Sequence, residues 1–153
     1  MNRLIRAAVA GTAATAVMML LFLFLATQTR LTLDVPAIIA RFVGVPDQFV
    51  VGMALFTLAG IVAWPVLFVA LSPYLGRLLR TDDLPVQAVA FAFVLWVAFV
   101  LLGQPADLDT QLLFIYLFFT FLAHLAYGFT LGVVYEHFAE QPAVTSASPS
   151  SES

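Results

Sequence analysis

The chain has 153 residues, of which 63% are hydrophobic and only 10% charged, with a mean hydropathy of +1.04. A soluble domain of ordinary composition is about 25% charged, so water is the wrong solvent for most of this surface, and a soluble enzyme or nucleic-acid binder is a poor fit. Six Arg, no Lys and nine acidic residues leave a net charge of −3, with no basic stripe for a phosphate backbone. The absence of cysteine excludes disulfides and thiolate chemistry.

Four stretches carry no Asp, Glu, Lys or Arg: 7–29, 48–76, 84–106 and 110–135. A helix of roughly 20 residues crosses a hydrocarbon core about 30 Å thick. Within the core only helices and closed barrels satisfy their backbone groups. The runs MMLLFLFLA, FAFVLWVAFVLL and LLFIYLFFTFLA lack the period-two alternation of barrel strands. The expectation is an all-α polytopic membrane protein, a four-transmembrane-helix bundle with spans at about 5–27, 49–71, 85–103 and 112–135. It occupies residues 1–138, and 139–153, rich in Ser, Pro and Ala, is expected to be a disordered tail.

Arg3 and Arg6 precede the first apolar run, which is longer than the 7–15 residues or so of a signal-peptide core, and LFLATQTR lacks an A-x-A cleavage site. An uncleaved anchor is expected. Within it Ala7, Gly11 and Thr15 form a small-residue packing stripe. In the next connection, Val35, Ile38, Ile39, Phe42 and Val43 recur at helical spacing, with Pro36 near the start and Gly44 just past the end. This predicts a short helix at 35–43 lying in the membrane interface between spans one and two. Its functional alternative is a lid over a site between the spans.

The second span holds Gly52, Gly60 and the pair Trp64-Pro65. Pro65 has no amide hydrogen for the Ile61 carbonyl, so a kink is expected, and the freed carbonyl needs a partner such as a Thr. SPYLGRLLRTDD at 72–83 is expected to be a turn. Asp82 and Asp83 before Leu84-Pro85, and Asp109-Thr110, look like helix starts. Arg3, Arg6, Arg77 and Arg80 fall on one side, and Arg30 and Arg41 on the other. Four against two predicts a multi-pass protein of the cell membrane with both termini cytoplasmic. LAGIVAWP at 58–65 also resembles LAHLAYG at 122–128, a short match in a narrow alphabet for which an internal repeat and chance are both open.

None of the four charge-free runs contains an acidic or basic residue, and His124 is the one clear ionisable exception within them. On a wheel of 100° per residue with Thr120 at zero, Tyr116, Tyr127, His124 and Tyr135 fall at about −40°, −20°, +40° and +60°. Phe118, Leu122, Leu125 and Phe129 fall opposite. The polar arc should face the bundle and the hydrocarbon arc the lipid. Gly128 and Gly132 form a GxxxG pair for close backbone approach. His124, Thr120, Tyr127 and Tyr116 are therefore the candidate intramembrane polar site, and Gly11, Thr15, Gly60, Pro65, Gly128 and Gly132 the helix-packing residues. His124 either fixes packing through a hydroxyl or carbonyl, or binds a haem, metal or quinone or relays protons. His137 lies roughly 20 Å along the axis, so one metal or haem cannot take both within a chain. No catalytic set and no metal cluster is apparent, and no cofactor is expected.

The segments MNRLIRAAVAGTAATAVMM, ARFVGVP, LFTLAGIVAWPVLF, LWVAFVLLG and LAHLAYGFTLGVVY resemble a family of small four-span membrane proteins of unknown function in halophilic archaea, over about residues 1–138. That resemblance brings no catalytic motif. Some members are thought to lie near terminal-oxidase genes, which implies an accessory or assembly role. The expected function is thus a non-catalytic accessory subunit of a membrane complex, such as a respiratory oxidase, with the bilayer, other membrane subunits or a second copy as partners and no nucleic acid. The alternatives are an oligomeric channel or carrier, or a cofactor-binding protein using His124.

Overall fold

A computed structural model describes residues 2–29, 35–46, 48–102 and 110–140. Its regular elements are all helical: α1 (Arg3–Thr29), α2 (Val35–Phe42), α3 (Phe49–Leu58), a π-helical turn (Ala59–Ala63), α4 (Trp64–Leu79), α5 (Leu84–Leu102) and α6 (Thr110–Glu140). The π turn joins α3 and α4 into one continuous rod. Among the described residues, four helices are long and apolar enough to cross a membrane. Asp34, Asp107, Asp109 and the segment 141–153 lie outside the described residues, as does most of the expected tail.

The first and last helices meet at their outer ends. Arg6 Nη1 donates to the Phe138 carbonyl at 3.5 Å, and its guanidinium lies 5.6 Å from the Tyr135 ring centre. Gly132 of α6 packs on Leu84 and Pro85 at the start of α5. The beginning of α1, the α4–α5 connection and the end of α6 therefore share one end of the bundle, which carries Arg3, Arg6, Arg77 and Arg80. Arg41, on α2, is at the other.

The second long helix differs from the sequence expectation at its end. Residues 72–79 are helical rather than a turn, although Pro73 removes an interior hydrogen bond at a cost of about 3 kcal/mol. The helix stops instead at Arg80, which adopts the left-handed conformation (φ 54°) while its amide and that of Thr81 bond the Gly76 carbonyl. Thr81 then leads into α5, where Asp83 Oδ1 accepts the Val86 amide at 3.0 Å, an N-cap. A buried polar relay secures the corner: Ser72 Oγ donates to Gln87 Oε1 at 2.6 Å, and Gln87 Nε2 to the Thr81 carbonyl at 2.8 Å. Gln87 is only 3% exposed.

Packing is tight in the half of the bundle nearest the Arg-rich end. Ala7, Ala10, Ala14, Ala88, Ala92 and Leu131 surround Phe68, whose ring meets Phe91 at 5.8 Å and Tyr135 edge-on at 6.2 Å. Small residues let the backbones close up. A Cβ on Gly11 would fall 2.7 Å from the Ile61 carbonyl oxygen and 2.8 Å from that of Gly60; one on Gly128 would fall 2.6 Å from the Ala88 oxygen. In the other half the facing residues are Met18, Phe22, Phe56, Leu95 and Phe99. Large side chains there hold the helices apart, and α2 fills the opening. It seats on α3 at Gly52, where any Cβ would overlap the Pro36 carbonyl. Gly44, at φ 81°, takes the left-handed position that turns the chain after α2.

Candidate functional site: a chamber beneath the short helix

The splayed half holds a partly open chamber of about 370 Å³. Thr15, Met18 and Phe22 of α1 form one wall, and Leu95, Ala98 and Phe99 of α5 another. Leu55, Phe56, Ala59, Gly60 and Trp64 come from the second rod, His124 and Tyr127 from α6. Val35, Ile38, Ile39 and Val43 form the roof. Val35 and Ala40 are buried against the bundle and Arg41 is exposed. This short helix therefore covers a space between the long helices as well as connecting them.

The polar arc of α6 turns inward. Tyr116, Thr120, Tyr127 and Tyr135 are buried, while Phe118, Leu122 and Phe129 are exposed. The arc does not form one cluster. Thr120, wholly buried, donates to the Tyr116 carbonyl at 2.8 Å and accepts from Trp96 Nε1 at 3.2 Å. The second bond fastens α6 to α5 outside the chamber lining. The Tyr116 hydroxyl is buried without a partner among the described residues, beside Phe99, whose ring is 6.1 Å away. Only His124 and Tyr127 of the arc reach the chamber.

Tyr127 meets the π turn there. In that turn the Trp64 amide bonds the Ala59 carbonyl, five residues back. In the same register the next amide, at residue 65, would bond Gly60, but proline has no hydrogen to give. The Tyr127 hydroxyl takes its place, donating to the Gly60 carbonyl at 2.7 Å. So Pro65 is accommodated by a one-residue bulge, and the orphaned carbonyl is satisfied by a tyrosine of α6 rather than by a threonine. The segments 58–65 and 122–128 also differ in backbone, since only the first carries a π turn.

His124 Nδ1 lies 2.7 Å from the carbonyl oxygen of Thr120, four residues back on its own helix. A carbonyl only accepts, so Nδ1 carries the hydrogen, and in the neutral ring Nε2 presents a lone pair. The ring packs on Phe99 with centres 5.6 Å apart. On α1, Thr15 is 5% exposed and its Oγ1 is buried without a partner among the described residues. Sequence reasoning placed Thr15 in a packing stripe. It does pack on Gly60, but it also lines the chamber. Trp64 and Phe99 also line it, and neither is among the candidate site residues of the sequence. Nothing in their local pattern marks them, because the chamber arises from splay between helices distant in sequence.

No group of three or more His, Cys, Asp or Glu able to hold a metal ion occurs among the described residues. The arrangement is suited to an apolar molecule with a small polar head: hydrocarbon walls, one imidazole acceptor and one free hydroxyl. Among the described residues, four helices long and apolar enough to cross a membrane surround this chamber, an arrangement compatible with a multi-pass membrane protein. The chain belongs to the family of unknown function DUF6789, which it matches over residues 1–146. No curated protein and no solved structure matches it.

Proposed function

We propose that this protein is a small non-catalytic integral membrane protein that receives a lipophilic molecule in the chamber beneath α2, with both termini on the cytoplasmic face of the cell membrane. The supporting observation is the chamber itself: about 370 Å³, within the usual size range of ligand pockets, walled by hydrocarbon and holding His124 as its titratable group. The Arg-rich end supports the orientation. The close packing at the other half argues for a blind chamber over a continuous pore, and so for binding over conduction. His124 serves as an acceptor in the lining. The test adds a long-chain alcohol, undecanol, to the protein in mild detergent and follows thermal unfolding. A ligand that binds only the folded state stabilises it by about 2.7 kcal/mol at a hundredfold excess over Kd. The midpoint should rise in the native protein and stay fixed in Ile39→Trp, whose indole fills the chamber from the roof. Equal response of the two would refute the reading.

A second reading is an accessory or assembly role in a membrane complex such as a respiratory oxidase, in line with the resemblance to the halophilic archaeal proteins. The surface of the second rod supports it: Val50, Leu58, Val62, Trp64, Leu71 and Leu78 are all exposed, which leaves a broad apolar face for lipid or a neighbouring subunit. Purification from native membranes in mild detergent tests it. A partner at stoichiometric level supports this role, and a chain that emerges alone removes it.

A further inference from the structure

Two polar groups of the chamber wall have complementary needs. His124 has committed the hydrogen of Nδ1 to the Thr120 carbonyl, so its Nε2 asks for a donor. Thr15 Oγ1 is buried and unpartnered among the described residues. A helical threonine commonly bonds a carbonyl three or four residues back, as Thr12 does to Ala8 at 2.8 Å, but Thr15 does not. Its hydroxyl is free to donate once it turns from Gly60, against which it is closed off from the chamber. The third polar group, the Tyr127 hydroxyl, has already given its hydrogen to Gly60.

We propose that the chamber selects a neutral lipophile with a hydroxyl head group, such as a long-chain alcohol or a quinol, which donates to His124 Nε2 and accepts from Thr15. This rests on the reading of the chamber as a ligand site. Competing head groups fit less well. An alkane leaves Nε2 without a donor and Thr15 Oγ1, which is buried, without an acceptor, and a buried unpaired polar group costs free energy. A head with carbonyls alone can accept from Thr15 but gives nothing to Nε2. A carboxylate would be buried where no Arg or Lys among the described residues lines the wall, and an unpaired buried charge is the most costly of these cases. At roughly 30 Å³ per non-hydrogen atom, taking water as the guide, the chamber holds about a dozen such atoms. That accommodates a hydroxylated ring with a short tail, or the first part of an alkyl chain.

The test uses the only two tryptophans of the chain, Trp64 and Trp96. Trp96→Phe leaves Trp64, which lines the chamber, as the single fluorophore in phosphatidylcholine nanodiscs. Three brominated probes of equal length quench on contact: ω-bromoundecanol, bromoundecane and ω-bromoundecanoic acid. Partition into the bilayer gives a linear component, and chamber occupancy a saturable one. The alcohol should saturate at a concentration lower by about tenfold or more than either other probe, the factor expected of one buried hydrogen bond. His124→Phe should erase that preference. Thr15→Val, which keeps the side-chain shape, should reduce it severalfold while the fold is retained. Equal saturable binding of all three probes would overturn hydroxyl selection and leave the chamber reading standing. Absence of any saturable component would overturn both. A preference that survives both substitutions would overturn the assignment to Thr15 and His124.

Discussion

Tyr127→Phe removes one oxygen, and its effect follows from the π turn. The Gly60 carbonyl is buried and accepts from Tyr127 at 2.7 Å, and the backbone donor that would serve it in the π register is missing because residue 65 is proline. Loss of a hydrogen bond costs about 0.5–1.5 kcal/mol net, and a stranded buried acceptor about 1–3 kcal/mol. Polar pairs between membrane helices average nearer 0.6 kcal/mol, since the unfolded helices find other partners. The expected loss is therefore about 1–2 kcal/mol. Pro65→Ala supplies the missing amide hydrogen, so in that background Gly60 keeps a donor and Tyr127→Phe should cost less than about 0.5 kcal/mol. Reversible unfolding of the four proteins in mixed micelles, followed by helical circular dichroism, gives the coupling directly. Equal costs of Tyr127→Phe in both backgrounds would refute the claim that Pro65 creates the need Tyr127 fills.

Other substitutions test the remaining links. Gly128→Ala or Gly132→Ala should each destabilise the α5–α6 contact by about 1–3 kcal/mol, because the added Cβ lands on backbone, 2.6 Å from the Ala88 oxygen or 2.5 Å from Pro85 Cα; thermal unfolding in detergent measures it. Arg80→Gly should stabilise by roughly 0.5–1 kcal/mol in the same assay, since the left-handed cap strains any residue with a Cβ. Single cysteines in this cysteine-free chain test the orientation: a charged thiol reagent added outside intact cells should label position 41 and spare position 80.

The four apolar rods are legible because charge is absent from long runs, and a helix in lipid leaves no other place for charged side chains. The inward turn of Tyr116, Thr120 and Tyr127 is equally legible, since a 100° step puts them on one arc. The end of the second rod was misread. Ser-Pro followed by Gly describes a turn locally, but Ser72 is held by Gln87 and the stop falls at Arg80. The π turn has no local signature, because the residue that stabilises it, Tyr127, is 67 positions away from Gly60. The chamber is less legible still. It depends on small residues closing one half of the bundle while Phe22, Phe56 and Phe99, on three different helices, hold the other half open.

In the proposed function, the open half of the bundle holds a lipophile. Native mass spectrometry of the protein released from nanodiscs made with its own membrane lipids tests that most directly. One neutral lipophilic adduct should be retained per 16.6 kDa chain at collision energies that strip annular lipid, and should disappear in folded Ile39→Trp. A bare chain at those energies, or an adduct that Ile39→Trp retains, would contradict it.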